Sequence, residues 1–290
     1  MLFSAAVKQF IEERIAMRYS PHTIRDYGVT YKKFLACVGD MDIGTVNKQH
    51  IVQFMASQSN ISAKTLRNYH ADLSALWQWA IQQGICSENP VRQIKAPLAE
   101  KKTILPFSKT EICSILEAAD RSPNPLQNRA IILLSLDTGI RASELCNLTI
   151  NDLNKVTNHI LVFGKGKKER NVPISRQTSN AIEKHLQSRK QKTPNSPLFA
   201  KNNGKPLDRV LLGRILARLG TEAGVSRVFP HRFRHTFAIQ FLRNGGNIYS
   251  LQKILGHSTL DMVKRYLAIA QHDLDRDHEI ASPVNHWGLR

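Results

Sequence analysis

His159-Ile-Leu-Val-Phe-Gly-Lys-Gly-Lys-Lys-Glu-Arg-Asn-Val-Pro-Ile174 reads as a strand, a basic glycine-containing turn and a second strand. It interrupts a chain that is otherwise patterned for helices. On either side, apolar residues recur at helical spacing over roughly 109–119, 124–137, 142–147, 175–190, 208–223, 231–244, 248–255 and 259–270. The second half is therefore expected to be a mixed unit, mainly α with a small β-hairpin.

Upstream the pattern is helical throughout. Residues 3–17 place Val7, Phe10, Ile11 and Ile15 at helical spacing. Ser20-Pro21 supplies a cap and a first-turn proline for a second helix that ends near Gly39. Asn47 caps a third helix to about Ser57. Ser62 caps a fourth through Leu66, Tyr69, Leu73, Leu76, Trp77 and Ala80, ending at Gly84. Four helices around one apolar core is the economical arrangement. Asn89-Pro90, Pro97, Glu100-Lys101-Lys102 and Pro106 then form an extended, basic connection. Ser108-Lys109-Thr110-Glu111 is a capping box that opens the next unit. The expected organisation is a helical domain at 1–88, a linker at 89–107, a second domain at 108–272 and a charged tail at 273–290. The tail carries the apolar Leu274, Ile280, Val284, Trp287 and Leu289.

Composition narrows the partners. The 290 residues carry a formal net charge of +18, spread along the chain, which favours a polyanion that touches both halves. No apolar run approaches a membrane span, and the N-terminus lacks the basic-then-apolar order of a signal peptide. Cys37, Cys86, Cys113 and Cys146 are scattered without a disulfide framework. That points to a reducing cytoplasm, with each thiol a small core residue.

Within the helical pattern lies a set of residues suited to phosphodiester chemistry. Arg141 sits in Thr138-Gly-Ile-Arg-Ala-Ser-Glu-Leu145, Lys165 in the basic turn, His231 and Arg234 in His231-Arg-Phe-Arg-His-Thr-Phe-Ala238. His257 sits in Leu255-Gly-His-Ser-Thr259, and Tyr266 follows. Two guanidiniums can offer planar donor forks to phosphate oxygens where charge grows in the transition state. Taken singly, Arg141 is also a helix-start arginine that could pair with Glu144, and Arg234 a basic residue on a solvated face. Lys165, between glycines, can approach a phosphate and protonate a leaving oxygen; its competing role is an idle hairpin tip. Lys167 and Lys168 beside it are candidate DNA contacts. His231 suits general acid/base work or phosphate donation, and His235 a structural place. Their spacing lacks the glutamate of a zinc-protease helix, so no metal and no other cofactor is expected. His257 can donate to a phosphate or simply cap a helix. Tyr266 is either a core ring or a nucleophile that holds DNA as a phosphotyrosyl ester.

All six, in this order and context, resemble the active-site boxes of the tyrosine recombinases of the phage integrase family, closest in plan to Xer-type proteins. The resemblance covers nearly the whole chain. Ser62-Ala-Lys-Thr-Leu-Arg67 resembles the start of the DNA-facing last helix in the family's SAM-like core-binding domain, which implies DNA contacts at Ser62, Lys64, Thr65 and Arg67. Asn89-Pro90 resembles the start of its linker. The family implies a helical core-binding domain plus a mixed α/β catalytic domain that clamp double-stranded DNA. It further implies strand exchange through a 3′-phosphotyrosine and a Holliday junction, without metal or ATP. By the same resemblance a homo-tetramer assembles on two sites through the C-terminal tail, with an accessory DNA-bending protein or a sister recombinase as further partners. The ending 281–290 is more similar to recombinases of mobile elements than to chromosome-dimer resolvases, and no extra arm-binding domain is evident. A type IB topoisomerase-like nicking-closing enzyme and a non-catalytic DNA-binding regulator are the competing functions.

Overall fold

The computed structural model describes residues 1–98, 104–164, 169–189, 193–257, 259–260, 266, 278 and 282–287. The chain forms two compact units, Met1–Lys102 and Thr103–Arg290.

The first unit is built from α1 (Phe3–Ala16), α2 (Pro21–Val38), α3 (Lys48–Ser57) and α4 (Ala63–Gln82). Local chemistry sets the starts. The hydroxyls of Ser20 and Ser62 accept the Thr23 and Thr65 N–H groups, and Asn47 with His50 closes a reciprocal cap on α3. Phe3, Phe10, Tyr31, Phe34, Phe54, Trp77 and Trp79 mesh in the centre, with Phe3 and Phe34 rings 4.9 Å apart. Polar tips find partners: the Trp79 indole donates to Glu13 at 2.6 Å and Tyr31 donates to the Asp72 carbonyl at 2.8 Å. The α1 stripe runs through Phe3, Ala6 and Phe10, with Val7 and Ile11 at its margins. Ile15, expected to join it, is 57% exposed. One turn beyond Phe10 the inward position is occupied by Arg14, whose guanidinium lies 4.6 Å over the Phe10 ring.

A short 3-10 turn, Pro90–Gln93, follows α4 and buries Val91 in the same core. The Asn89 amide donates to the Ser74 carbonyl. The start of the stretch read as an extended linker is thus packed onto the first unit.

The second unit opens with α5 (Lys109–Asp120), where Ser108 and Glu111 cap each other's backbone N–H groups. There follow α6 (Pro125–Thr138), α7 (Ala142–Asn147), β1 (Leu153–Asn154), β2 (His159–Phe163), β3 (Glu169–Pro173), α8 (Arg176–Gln187), α9 (Arg209–Glu222), α10 (Pro230–Arg243) and α11 (Ile248–Leu255). The antiparallel sheet has order β1-β2-β3, with Ile160 opposite Val172 and Val162 opposite Arg170. The expected hairpin gains a third strand, β1, too short for alternation to reveal. Ile160, Val162 and Val172 face a core shared with Ile115, Ile131, Leu134 and Phe233.

One expectation changes here. Cys113 lies on the exposed side of α5, and only Cys146 is fully buried, so the thiols are not all core residues. His257 follows the end of α11, which Gly256 terminates at φ 62°. Lys165, Lys167, Lys168 and most of 259–270 and 273–290 lie outside the described residues. Tyr266 is helical and buried, and a short helix at Pro283–His286 precedes Trp287, which is 74% exposed.

Candidate active site

Two helix ends build the floor of the site. α6 closes on Gly139 at φ 60°, and α11 closes on Gly256. Both ends leave carbonyls unpaired within their helices and carry the negative pole of the helix dipole. Arg234, in the first turns of α10, is 4% exposed and aims its guanidinium at both. It donates to the Gly139 carbonyl at 2.8 Å and to the Leu255 carbonyl at 2.9 Å. A third bond runs to Nε2 of His257 at 2.6 Å. A guanidinium only donates, so this contact makes His257 Nε2 the acceptor and puts its ring proton on Nδ1. Nδ1 has no partner among the described residues. Three of the five Arg234 donors are engaged, which leaves two for a ligand.

Arg141 stands in extended backbone just before α7. Its Nη1 donates to Glu144 Oε1 at 2.8 Å and its Nη2 to the Gly256 carbonyl at 3.2 Å. Arg141 thus pairs with Glu144 as a helix-start arginine, and its charge also acts on Arg234. Its side chain is 37% exposed, so the remaining donors point toward solvent. Tyr266 closes the group. Its ring stacks on His257, centroids 6.4 Å apart at 9°, and leans on His235 at 5.4 Å. Ala238, Ile239, Leu242, Leu251 and Leu255 hold the tyrosine from behind.

The electrostatics follow from burial and crowding. Burial, then the charge of Arg141, pushes Arg234 down to about 10, which leaves it a cation at neutral pH. Burial, then Arg234, Arg141 and Arg170, pushes His257 down to about 4, so it is neutral at pH 7. Burial also lowers His235, opposed by its hydrogen bond to the Ile104 carbonyl. For Glu144, burial acts upward, but bonds and charge from Arg170 and Arg141 outweigh it and hold the carboxyl below its usual range. His231 is exposed at the start of α10, near enough for its charge to act on His235 and His257.

Among the proposed DNA contacts, Ser62 spends its hydroxyl on capping α4 and on Thr65. Lys64 and Arg67 are exposed on the first turns of that helix. Arg170 and the two glycines were not singled out from sequence. One signal was present: β3 alternation puts residue 170 on the face of the buried Val172, where an apolar residue is expected. Among the described residues, no group of three or more His, Cys, Asp or Glu side chains is placed to hold a metal ion.

Comparison with known proteins gives the family and the fold. Residues 107–272 match the phage integrase family, and residues 7–84 match the phage integrase N-terminal SAM-like domain. The chain is similar to tyrosine recombinase XerC of Bacillus subtilis, 28% identical over 92% of this chain and 93% of that protein. It is 30% identical to XerC of Actinobacillus pleuropneumoniae over 93% and 90% of the two chains. In fold it is similar to the Tn1549 transposon integrase solved with circular intermediate DNA, with TM-score 0.79 and 23% identity over 97% of this chain and 99% of that one. It is also similar to XerH bound to a palindromic difH substrate in a post-cleavage complex, with TM-score 0.71 and 21% identity over 90% and 79% of the chains.

Proposed function

The chain belongs to the phage integrase family, and on that premise we propose that it is a site-specific tyrosine recombinase in which Tyr266 is the nucleophile. The observation that carries this is the placing of Tyr266 against His257 beside the guanidiniums of Arg234 and Arg141. A DNA phosphate seated there meets two cations whose remaining donors are unspent. The Tyr266 oxygen attacks phosphorus, the 5′-oxygen leaves, and a 3′-phosphotyrosyl ester forms. Arg141 and Arg234 stabilise the charge that grows on the non-bridging oxygens, an effect strongest in the transition state. His257, neutral and with a free Nδ1–H, donates to the phosphate. His231 serves as general acid/base, and Lys165 protonates the leaving oxygen. Attack by a 5′-hydroxyl from a second duplex reverses the step and exchanges strands without ATP, through a Holliday junction.

Double-stranded DNA is the partner, met in the first unit by the start of α4, at Lys64, Arg67, Ser62 and Thr65, and in the second by Lys167 and Lys168. Four copies act on two sites, with the segment 273–290 joining neighbours; the exposed Val284 and Trp287 suit that use. The +18 charge suits a DNA partner, and we place that action in a bacterial or archaeal cytoplasm. Among the described residues, no helix is long and apolar enough to cross a membrane.

The test uses a duplex enriched from a random-sequence pool by binding to the wild-type protein, nicked so that cleavage frees a short end and traps the covalent complex. Wild type is expected to form a protein–DNA adduct on a denaturing gel. Tyr266→Phe, which keeps the ring, is expected to bind equally and form none. An adduct at wild-type yield from Tyr266→Phe would remove Tyr266 as the nucleophile. Plasmid relaxation without any junction would favour a nicking-closing enzyme, and binding without adduct in wild type a regulator.

A further inference from the structure

We propose that Arg170 is a positioning residue that keeps the Arg141 guanidinium available to the scissile phosphate, by occupying both oxygens of the Glu144 carboxylate. This rests on the recombinase activity proposed above. Arg170 sits on β3, on the core face, and its side chain is only 13% exposed. Its Nη1 and Nη2 donate to Glu144 Oε1 and Oε2 at 3.0 and 2.7 Å, a fork-to-carboxylate pair. Its Nε donates to the Ile254 carbonyl at 2.8 Å, at the end of α11. All three nitrogens are spent inside the protein, so Arg170 is poorly placed to touch DNA itself.

The Glu144 carboxylate is 4% exposed and receives four donors. Oε1 takes Arg141 Nη1 and Arg170 Nη1; Oε2 takes the Arg141 backbone N–H and Arg170 Nη2. A carboxylate has about four lone-pair positions, so these donors fill it. The Arg141 side chain therefore reaches one carboxylate oxygen only, through one nitrogen; with Nη2 also donating once to the Gly256 carbonyl, three of its five donors are left for a phosphate. Without Arg170, a buried carboxylate would be left with a single cation. The favoured arrangement is then a bidentate pair between Glu144 and Arg141, which would draw the Arg141 fork off the phosphate and cancel its charge. With Arg170 present, the cations Arg141, Arg170 and Arg234 against the anion Glu144 leave two net positive charges at the site.

Gly256 supports the same role. A Cβ on it would lie 3.1 Å from Arg170 Nη1 and 3.2 Å from its Cζ, so the backbone of Gly256 rests on the Arg170 guanidinium. The Gly256 carbonyl is the second anchor of Arg141, and His257 is the next residue. Arg170 thus sets both groups that orient Arg141, the carboxylate and the carbonyl.

The competing role is a weld that joins β3 to α7 and α11 and affects stability alone. The experiment compares wild type, Arg170→Met, Arg170→Lys, Glu144→Gln and the Glu144→Gln/Arg170→Met double variant on the nicked, pool-enriched duplex. It reads single-turnover adduct formation at saturating protein, affinity in a Tyr266→Phe background, and thermal melting. Arg170→Met is expected to slow cleavage about a hundredfold, the scale of a misplaced reacting group. Affinity should change by less than about threefold, because many other phosphate contacts carry binding. Arg170→Lys should stay slow, since an ammonium cannot span both oxygens and the carbonyl. The double variant should regain about tenfold over Arg170→Met, because a neutral amide no longer captures Arg141. A weld would show neither the rescue nor the split between rate and affinity, and a double variant no faster than Arg170→Met overturns the proposal. If Arg170→Met loses its cooperative melt, Arg170→Lys and the double variant decide it by the same comparison. If wild type forms no adduct, the recombinase activity falls and this inference with it; an undiminished Arg170→Met beside an active wild type removes this inference alone.

Discussion

Replacing Arg234 by lysine separates what the guanidinium fork does from what its charge does. The fork makes three bonds: to the Gly139 and Leu255 carbonyls and to His257 Nε2. Lysine carries one ammonium on a flexible stem and can serve one of these sites in any one position. Two charge-assisted bonds are then lost, each contributing about 1.5 kcal/mol at the low end of the range, so stability falls by about 3 kcal/mol. For a unit spanning Thr103–Arg290, at about 2–4 °C per kcal/mol, Tm drops by about 6–12 °C. Calorimetry of the full chain reads this, and hydrogen-exchange mass spectrometry should localise the loss to the ends of α6 and α11. Arg141→Lys is the contrast. Its side chain is 37% exposed, the lysine keeps a cation beside Glu144, and that buried carboxylate retains the Arg170 fork, so its Tm should move by less than about 4 °C. Both variants should lose cleavage rate by more than they lose affinity, because the fork matters most in the transition state. If Arg234→Lys melts with wild type and exchange at both helix ends is unchanged, the fork does not hold those ends, and the geometric argument for a preformed site fails.

Other expectations follow from particular contacts. His257 is pushed down to about 4 from an ordinary value of about 6.5, so its contribution to stability is complete above about pH 6.5 and is lost as pH falls toward 4, where the unfolded chain takes up the proton first. Urea midpoints should fall over that window, and His257→Phe should flatten part of the slope; an unaltered slope contradicts the assignment. Gly139→Ala places a Cβ 2.7 Å from Phe237 Cδ1 and 2.8 Å from Leu255 Cδ2 at a φ of 60°. Strain and overpacking together should cost about 2–4 kcal/mol, and a loss under about 1 kcal/mol in denaturant unfolding would show that the turn relaxes freely. Lys165→Ala should slow cleavage, and a 5′-bridging sulfur in the DNA should restore it, because a thiolate leaves without a proton. Without that restoration the general acid is another group, with Lys167 and Lys168 the next to test.

Much of the fold was legible because its signals are local. Ser20, Asn47, Ser62 and Ser108 cap the helices they were expected to cap, through bonds that span three residues. The departures come where neighbours decide. Ile15 has helical spacing but lies past the point where Arg14 takes the inward position. Cys113 has the size of a core residue but the outward phase of α5. β1 exists only because Leu153 and Asn154 pair with β2.

The site divides the same way. Arg141, His231, Arg234, His257 and Tyr266 were identifiable by type, order and local context, since each stands in a short motif whose chemistry suits a phosphodiester. That information is one-dimensional, and so sequence alone determined which residue kinds are supplied and roughly which elements carry them. Only the tertiary structure decided how they act on one another. Arg234 reaches Gly139 across 95 positions, and Arg170 reaches Glu144 across 26. Those contacts set which donors remain free, make Glu144 a shared anion and keep His257 neutral. Hydrogen bonding and desolvation depend on distances in space, and the spacing of residues along a chain does not specify those distances until the chain has folded.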